Sequence, residues 1–340
     1  MDDVAKWSQK DRDDLFSETS ASKNGLNITI IEKDFWVCWV LKRVFSSPTK
    51  ELPLIFKGGT SLSKAYSAIE RFSEDIDLSI NRTFFDFQGD KDPTNIDLSR
   101  NKRKKLLDEM AEKLANYLEF KLLPELQTIF TSELGEGGWR LEISKDNKEN
   151  MLFYYPTTNG PAETDEYIKS VILLEFGTRS DHWPSEMASI TSYAAEEFSS
   201  HFNNPSTNVN VLKGERTFWE KATILHAEFH RTPPKTNANR LSRHYYDMAM
   251  LAETKIAKRA LDDLELLNAV VAHKKLFYQS TWANYDTAKP GTLKLVPHDE
   301  LRAVLESDYS KMNEMFFGEP PTFEEIISRI SKLEKTINGS

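Results

Sequence analysis

Asp75 and Asp77 stand two residues apart in Ser73-Glu74-Asp75-Ile76-Asp77-Leu78. On an extended chain this spacing puts both carboxylates on one face, roughly 6.5–7 Å apart along the backbone. Such a pair can converge on Mg²⁺, a hard cation that takes oxygen ligands and bridges phosphate oxygens. With a second metal it could activate an attacking hydroxyl and stabilise a leaving oxygen. Without a cation the two like charges repel each other. Upstream, Lys57-Gly58-Gly59-Thr60-Ser61 closes a short apolar run. Paired glycines let backbone amides approach an anion with no side chain in the way. A helix start after them adds free N–H groups and a favourable dipole for phosphate. Thr60 and Ser61 can donate hydroxyl hydrogen bonds to the same group. Each motif is common by itself, Gly-Gly in ordinary turns and Asp-x-Asp on solvated strand edges. Their order and separation on one strand–helix–strand unit point to phosphoryl chemistry.

Glu175 is the next candidate. It lies in Val171-Ile172-Leu173-Leu174-Glu175-Phe176, where a carboxylate is out of place. A buried charge needs a partner or a metal, so Glu175 is either a third metal ligand or base, or a strand-end carboxylate paired with Arg179. Lys221 follows Thr217 in the first turns of a helix and can bind a triphosphate as a compact point charge; the alternative is an exposed lysine on an amphipathic helix. Arg240, Arg243 and Asp247 share a helical face by their spacing. Either Arg243 and Asp247 form an exposed ion pair, or the arginines reach into a cleft and Asp247 orients them.

The elements that must position these groups follow from apolar periodicity. Residues 1–26 read as a polar lead-in with a short helix. A capping box of Thr29 and Glu32 predicts a helix over residues 30–45 with a wide apolar face, ended by Ser46, Ser47 and Pro48. Residues 52–56 read as a buried strand and 61–68 as a helix. Residues 75–80 alternate as a strand with Asp75, Asp77 and Ser79 on one face. Residues 86–99 are loop-like, and 102–122 have helical spacing. Strands are expected at 141–144, 151–155 and 171–176, the last covered on both faces. Beyond residue 210 the chain turns helical. Thr217 with Glu220 predicts a helix to His230, broken by Pro233-Pro234. Further helices are expected over 242–254, 256–277 and 323–335, the last opened by Thr322 and Glu325.

Bulk properties exclude several classes. The 340 residues are 39% hydrophobic and 29% charged, which allows a sizeable core and rules out a disordered chain. The one cysteine, Cys38, excludes an intramolecular disulfide and any cysteine-built metal cluster, and its apolar setting predicts a packed thiol. Met1-Asp2-Asp3 lacks the pattern of a signal peptide, and no stretch approaches the roughly 20 apolar residues of a bilayer span. The expectation is a cytoplasmic protein with no membrane association. A net charge of −9 weighs mildly against nucleic-acid binding as a bulk property. Local patches matter more, and Arg100-Asn101-Lys102-Arg103-Lys104-Lys105 is the densest, with a second over 255–259.

At these residues the sequence resembles the AbiEii/AbiGii toxin family, within the DNA polymerase β-like nucleotidyltransferase superfamily. The resemblance rests on Phe56-Lys57-Gly58-Gly59-Thr60-Ser61-Leu62 and Arg71-Phe72-Ser73-Glu74-Asp75-Ile76-Asp77-Leu78. Glu32-Lys33-Asp34-Phe35-Trp36-Val37, the strand at Glu175, Glu220-Lys221 and Arg243-His244-Tyr245-Tyr246-Asp247 extend it over about residues 30–255. It implies an α+β fold: a nucleotidyltransferase-like mixed sheet with flanking helices, followed by a mainly helical C-terminal domain. The boundary is expected near residue 210, with residues 1–209 catalytic and 210–340 contributing Lys221 and Arg243 to the cleft. It implies Mg²⁺ on Asp75, Asp77 and Glu175, and phosphate contacts from Gly59, Thr60, Ser61 and Lys221. The nucleotide-binding set then comprises Lys57, Gly58, Gly59, Thr60, Ser61, Lys221, Arg240, Arg243 and Asp247. Two features depart from the usual pattern: Thr60 stands where a serine commonly follows the glycine, and the third carboxylate is a glutamate.

The resemblance also implies a function. Members are toxins of toxin–antitoxin and phage-defence systems with a separately encoded antitoxin, and some add nucleotides to the 3′ end of tRNA and block translation. The expectation is transfer of a nucleoside monophosphate from a nucleoside triphosphate to an acceptor hydroxyl, the tRNA 3′ end first among acceptors, with pyrophosphate release. The alternatives are nucleotidylation of a protein or small molecule, or a module that binds nucleotide or antitoxin without turnover.

Overall fold

The computed structural model describes residues 1–46, 52–157, 170–233, 235 and 239–339. It divides into two units: Met1–Ala65 with Phe72–Val211, and Tyr66–Arg71 with Leu212–Ser340.

The first unit is built on a seven-stranded mixed sheet in the order β3-β4-β5-β2-β1-β7-β6. The strands are β1 Leu54–Lys57, β2 Ile76–Ile80, β3 Arg140–Ile143, β4 Asn150–Tyr154, β5 Ile172–Gly177, β6 Ser185–Thr191 and β7 Ser206–Leu212. Its helices are α1 Asp2–Ala5, α2 Gln9–Ser22, α3 Ile28–Val44, α4 Gly58–Lys64, α5 Arg100–Tyr117, α6 Leu123–Leu134 and α7 Tyr193–Glu197. A π-helical turn, Leu118–Leu122, joins α5 to α6.

The central helix is α3, buried on nearly every side. Trp36 stacks on Tyr155 with ring centroids 5.9 Å apart, and Trp39 meets Phe130 edge-on at 4.7 Å and stacks on Phe153 at 5.9 Å. Removing either indole would cost about 3–5 kcal/mol. Cys38 of the same helix is fully buried, and burial pushes its thiol pKa up, so it is packing and not a nucleophile.

Several local expectations change. The cap of α3 is Asn27, whose side chain accepts from the Thr29 amide, so the helix starts a residue before Thr29 and the Thr29/Glu32 box does not form. Glu32 instead turns inward and accepts from Thr157 Oγ1 at 3.3 Å. The helix ends at Val44; Ser47 and Pro48 lie outside the described residues. The polar lead-in is the well-formed helix α2, capped by Ser8. Strand β5 is not closed on both faces: Ile172, Leu174 and Phe176 are buried, while Leu173, Glu175 and Gly177 are half-buried. Strands β6 and β7 carry too little apolar alternation to be read beforehand.

The second unit is helical: α8 Gly214–Phe229, α9 Ser242–Leu251, α10 Lys255–Asp262, α11 Leu264–Phe277, α12 Asp299–Ser310 and α13 Phe323–Asn338. The Thr322/Glu325 capping box of α13 is present as expected. The Thr217/Glu220 box is not. Helix α8 begins a turn earlier, after Lys213, and Thr217 lies inside it with its hydroxyl donating to the Lys213 carbonyl at 3.5 Å. It ends at Phe229, before Pro233; Pro234 lies outside the described residues. Among the described residues no helix is long and apolar enough to cross a membrane.

Candidate active site

The first unit gathers its polar groups in one row across the sheet. Strand β1 pairs antiparallel with β2, setting Lys57 opposite Asp77. Strand β5 runs parallel to β2, setting Glu175 beside Asp77, and β4 sets Asn150 beside Glu175. Register partners share a face, and neighbouring strands lie about 4.8 Å apart, so the row Lys57, Asp77, Glu175, Asn150 is continuous on one side. The opposite face holds Ile76, Leu78 and Ile80, all fully buried. Asp75 immediately precedes β2 and is half-buried, as are Asp77 and Glu175. Two carboxylates at adjacent register positions repel each other. Lys57 Nζ, 3.7 Å from Asp77 Oδ1, offsets part of that charge.

Gly58 follows Lys57 with φ +79, a conformation that favours glycine. A β-carbon there would stand 1.9 Å from Asp77 Oδ2. The carboxylate thus packs directly on the glycine bend, which is itself the first residue of α4.

The two hydroxyls beyond the bend are turned inward. Thr60 is 1% exposed; its Oγ1 donates to the Ser73 carbonyl at 3.1 Å and is also bonded to the Asp75 carbonyl. Ser61 is fully buried and donates to the Gly58 carbonyl at 2.9 Å. In this structure they brace the bend and the segment leading to Asp75, and the groups of the bend left to meet a phosphate are backbone amides. His182 joins the same face, its Nε2 3.0 Å from Ser79 Oγ.

The donor set suits a hard divalent cation, because all three candidate ligands are carboxylates and two are brought side by side by strand register. Among the described residues no group of three or more His, Cys, Asp or Glu is placed to hold a metal ion. Asp77 and Glu175 are neighbours in strand register, and Asp75 immediately precedes β2.

In the second unit the candidates surround Asp247, which is fully buried on α9. Arg71 grips it bidentately, Nε to Oδ1 at 2.7 Å and a terminal nitrogen to Oδ2 at 2.9 Å. Lys221 Nζ donates to the same Oδ2 at 2.8 Å and lies 3.5 Å from His244 Nδ1. Burial opposes the Asp247 charge, but the two cations outweigh it and hold its pKa well below the usual carboxylate range. Burial, reinforced by Lys221, keeps His244 neutral. Lys221 is thus a buried, oriented ammonium in mid-helix, and Asp247 is no exposed partner of Arg243. Arg243 is half-buried on α9. Arg240 does not share the helical face: it precedes α9 in a left-handed conformation, φ +59, and its amide donates to Asp308 Oδ1 at 2.8 Å. Asp308 Oδ2 also accepts from the Ser242 amide and hydroxyl, closing the start of α9.

The profile of a protein family described as nucleotidyl transferase AbiEii toxin, type IV toxin–antitoxin system, matches residues 39–329. The chain belongs to the AbiEii nucleotidyltransferase toxin family. Membership brings a nucleotide as substrate and an antitoxin as partner. No curated protein sequence matches the chain. Among solved structures it is similar to MenT4, the nucleotidyltransferase toxin Rv2826c from Mycobacterium tuberculosis H37Rv, at 14% identity and TM-score 0.48, covering 96% of this chain and 90% of that one. It is also similar to JHP933 from Helicobacter pylori, at 16% identity and TM-score 0.35, covering 89% and 93%. The family assignment rests on the profile match.

For this AbiEii-family chain, sequence reasoning missed Arg71 and the inward role of Thr60. Arg71 stands in the quoted Arg71-Phe72-Ser73 stretch, but its partner Asp247 is 176 residues away and no local spacing links them. Lys33 and Glu74 are likewise linked by no local spacing; they form a buried ion pair with Nζ to Oε2 at 2.6 Å.

Proposed function

We propose that this AbiEii-family chain transfers a nucleoside monophosphate from a nucleoside triphosphate to the 3′ hydroxyl of tRNA, blocking translation. The single observation that carries the transfer reading is the Asp77–Glu175 register pair beside the Gly58 bend. A divalent cation, with Mg²⁺ the proposed ion, would be held by Asp75, Asp77 and Glu175 and would neutralise charge on the triphosphate. In this reading the amides of Gly58 and Gly59 bind phosphate. The acceptor oxygen forms a bond to the α-phosphorus as the bond to the β-phosphate oxygen breaks. Glu175 takes the hydroxyl proton, and pyrophosphate leaves. Positioning and charge complementarity supply most of the acceleration in such transfers.

The acceptor reading draws on α5. Arg100, Lys102, Lys104 and Lys105 are exposed near the start of α5, whose first turn holds no acidic residue; Lys105 Nζ lies 3.9 Å from Glu109 Oε1. Cations at a helix N-terminus oppose the helix dipole, an arrangement that a polyanionic partner would relieve. Arg103 of the same run is spent inside, on the Pro93 and Asn95 carbonyls at 2.9 and 2.7 Å.

The test is incubation of the purified protein with each α-labelled triphosphate, total tRNA and cell lysate. Label at the tRNA 3′ end, absent with Asp77→Asn, supports the proposal. Label in protein or a small solute moves the acceptor to that class. Triphosphate binding with no pyrophosphate release makes the chain a binding module.

A further inference from the structure

We propose that Lys33 is a positioning residue for Asp75 and Asp77, acting through its buried ion pair with Glu74; this rests on reading those aspartates as the transfer site. Residues 72–75 lead into β2 without regular secondary structure, so no ladder fixes their path. Side chains from other elements do so instead. Lys33, 2% exposed, reaches from α3 to Glu74, 4% exposed, at 2.6 Å. Thr60 reaches from α4 to the carbonyls of Ser73 and Asp75. Three consecutive residues, 73, 74 and 75, are each held by a group from another element, and the third is a candidate metal ligand.

The next residue of α3 fastens the other end of the same unit. Asp34 Oδ1 lies 2.8 Å from Lys64 Nζ in the last turn of α4, and its Oδ2 accepts from the Tyr193 amide at 2.7 Å. Burial works against both charges: it raises the Asp34 pKa, while at Lys64 the neighbouring Asp34 outweighs it and raises the lysine pKa. Adjacent residues of one packed helix thus grip the end of α4 and the approach to β2, the two segments that set Gly58 against Asp77.

Stability alone gives little reason for the Lys33–Glu74 pair. Buried ion pairs are often matched or bettered by apolar pairs of similar volume, and α3 is already anchored by Trp36 and Trp39. What a charged pair adds is direction: it admits one placement of Glu74, and through the backbone one placement of Asp75. Sites of this kind need their groups held to about 0.5 Å, and a misplacement of about 1 Å can cost a hundredfold in rate. Lys33 is assigned no contact with reacting atoms.

The test compares wild type, Lys33→Met, the double variant Lys33→Met/Glu74→Leu, and Asp77→Asn. Thermal unfolding, Mn²⁺ binding by calorimetry and steady-state transfer are measured on each. The double variant removes both charges, so it is expected to fold even where Lys33→Met does not. Its Mn²⁺ affinity and kcat should fall about tenfold or more while the nucleotide KM changes little. A double variant with wild-type Mn²⁺ affinity and kcat, beside an Asp77→Asn that has lost both, overturns the role of Lys33 alone. An Asp77→Asn that keeps both overturns the aspartate reading and this proposal with it.

Discussion

The carboxylate of Asp77 rests on the α-carbon of Gly58, so close that an added β-carbon would stand 1.9 Å from Oδ2 and 2.7 Å from Cγ. Gly58 also has φ +79, which penalises any L side chain. Gly58→Ala would therefore push Asp77 out of its place beside Glu175 while leaving the strands intact. Transfer is expected to fall about a hundredfold, with the far-UV circular dichroism of wild type and a melting point a few degrees lower. Wild-type rates in this variant would show that Asp77 need not sit where it does.

The second prediction concerns the repulsion between Asp77 and Glu175. With no cation bound, Glu175→Gln relieves it, so the variant should melt at or above the wild-type temperature in chelator. Adding Mg²⁺ with a triphosphate should raise the wild-type melting point, because a ligand that binds the native state stabilises it. The variant should show a smaller rise and lose most of its transfer activity. Equal shifts in both proteins would remove Glu175 from the ligand set.

Part of this arrangement is legible in the sequence because its signals are local. The Gly58-Gly59 bend, the alternation through Asp75 and Asp77 and the lone acid at Glu175 each sit within a few residues of their own context. Strand pairing then placed Asp77 beside Glu175 in register, which no single stretch encodes. What stayed hidden depends on long-range pairing or side-chain direction. By helical spacing Asp247 reads either as an exposed partner of Arg243 or as the group that orients arginines in a cleft; it is buried against Arg71 and Lys221, a pairing no local spacing encodes. Thr60 reads as a phosphate donor, but the chain needs its hydroxyl to satisfy two carbonyls of a segment outside any ladder. The Thr29 and Thr217 caps fail because Asn27 offers the better cap in one case and α8 begins a turn earlier in the other.

Arg71 and Asp247 give the third prediction. Removing one partner of a buried ion pair leaves an uncompensated charge and costs about 3–5 kcal/mol. Arg71→Met should lose about that much in urea unfolding at pH 7, and Lys221→Met somewhat less, since Arg71 makes two bonds to the carboxylate and Lys221 one. The pH dependence has a definite sign. The folded pKa of Asp247 is depressed below its ordinary value, so its stabilisation is present above about pH 4 and lost as pH falls below that. Asp247→Asn should flatten the acid limb of the stability curve. An unchanged limb would mean the buried carboxylate is not what holds this network.

His226 sets the stability at milder acidity. Its Nδ1 accepts from the Lys294 amide at 3.0 Å, and its Nε2 lies 3.1 Å from the Asn284 carbonyl. A ring that accepts at one nitrogen and donates at the other is neutral, with the proton on Nε2. Burial pushes its pKa down to about 4 from an ordinary value of 6.5. The folded state therefore resists a proton that the unfolded chain takes readily. The stabilisation is full above pH 6.5 and drains away as pH falls to about 4. With allowance for solvent screening, the loss should be about 1–2 kcal/mol. Urea unfolding at pH 7 and pH 4.5 measures it. In His226→Gln, where no ring can be protonated, stability should be lower at pH 7 but change less between the two values. A variant with the wild-type slope would place the acid sensitivity elsewhere, and the neighbouring His230, whose pKa burial also lowers, would be the next residue to replace.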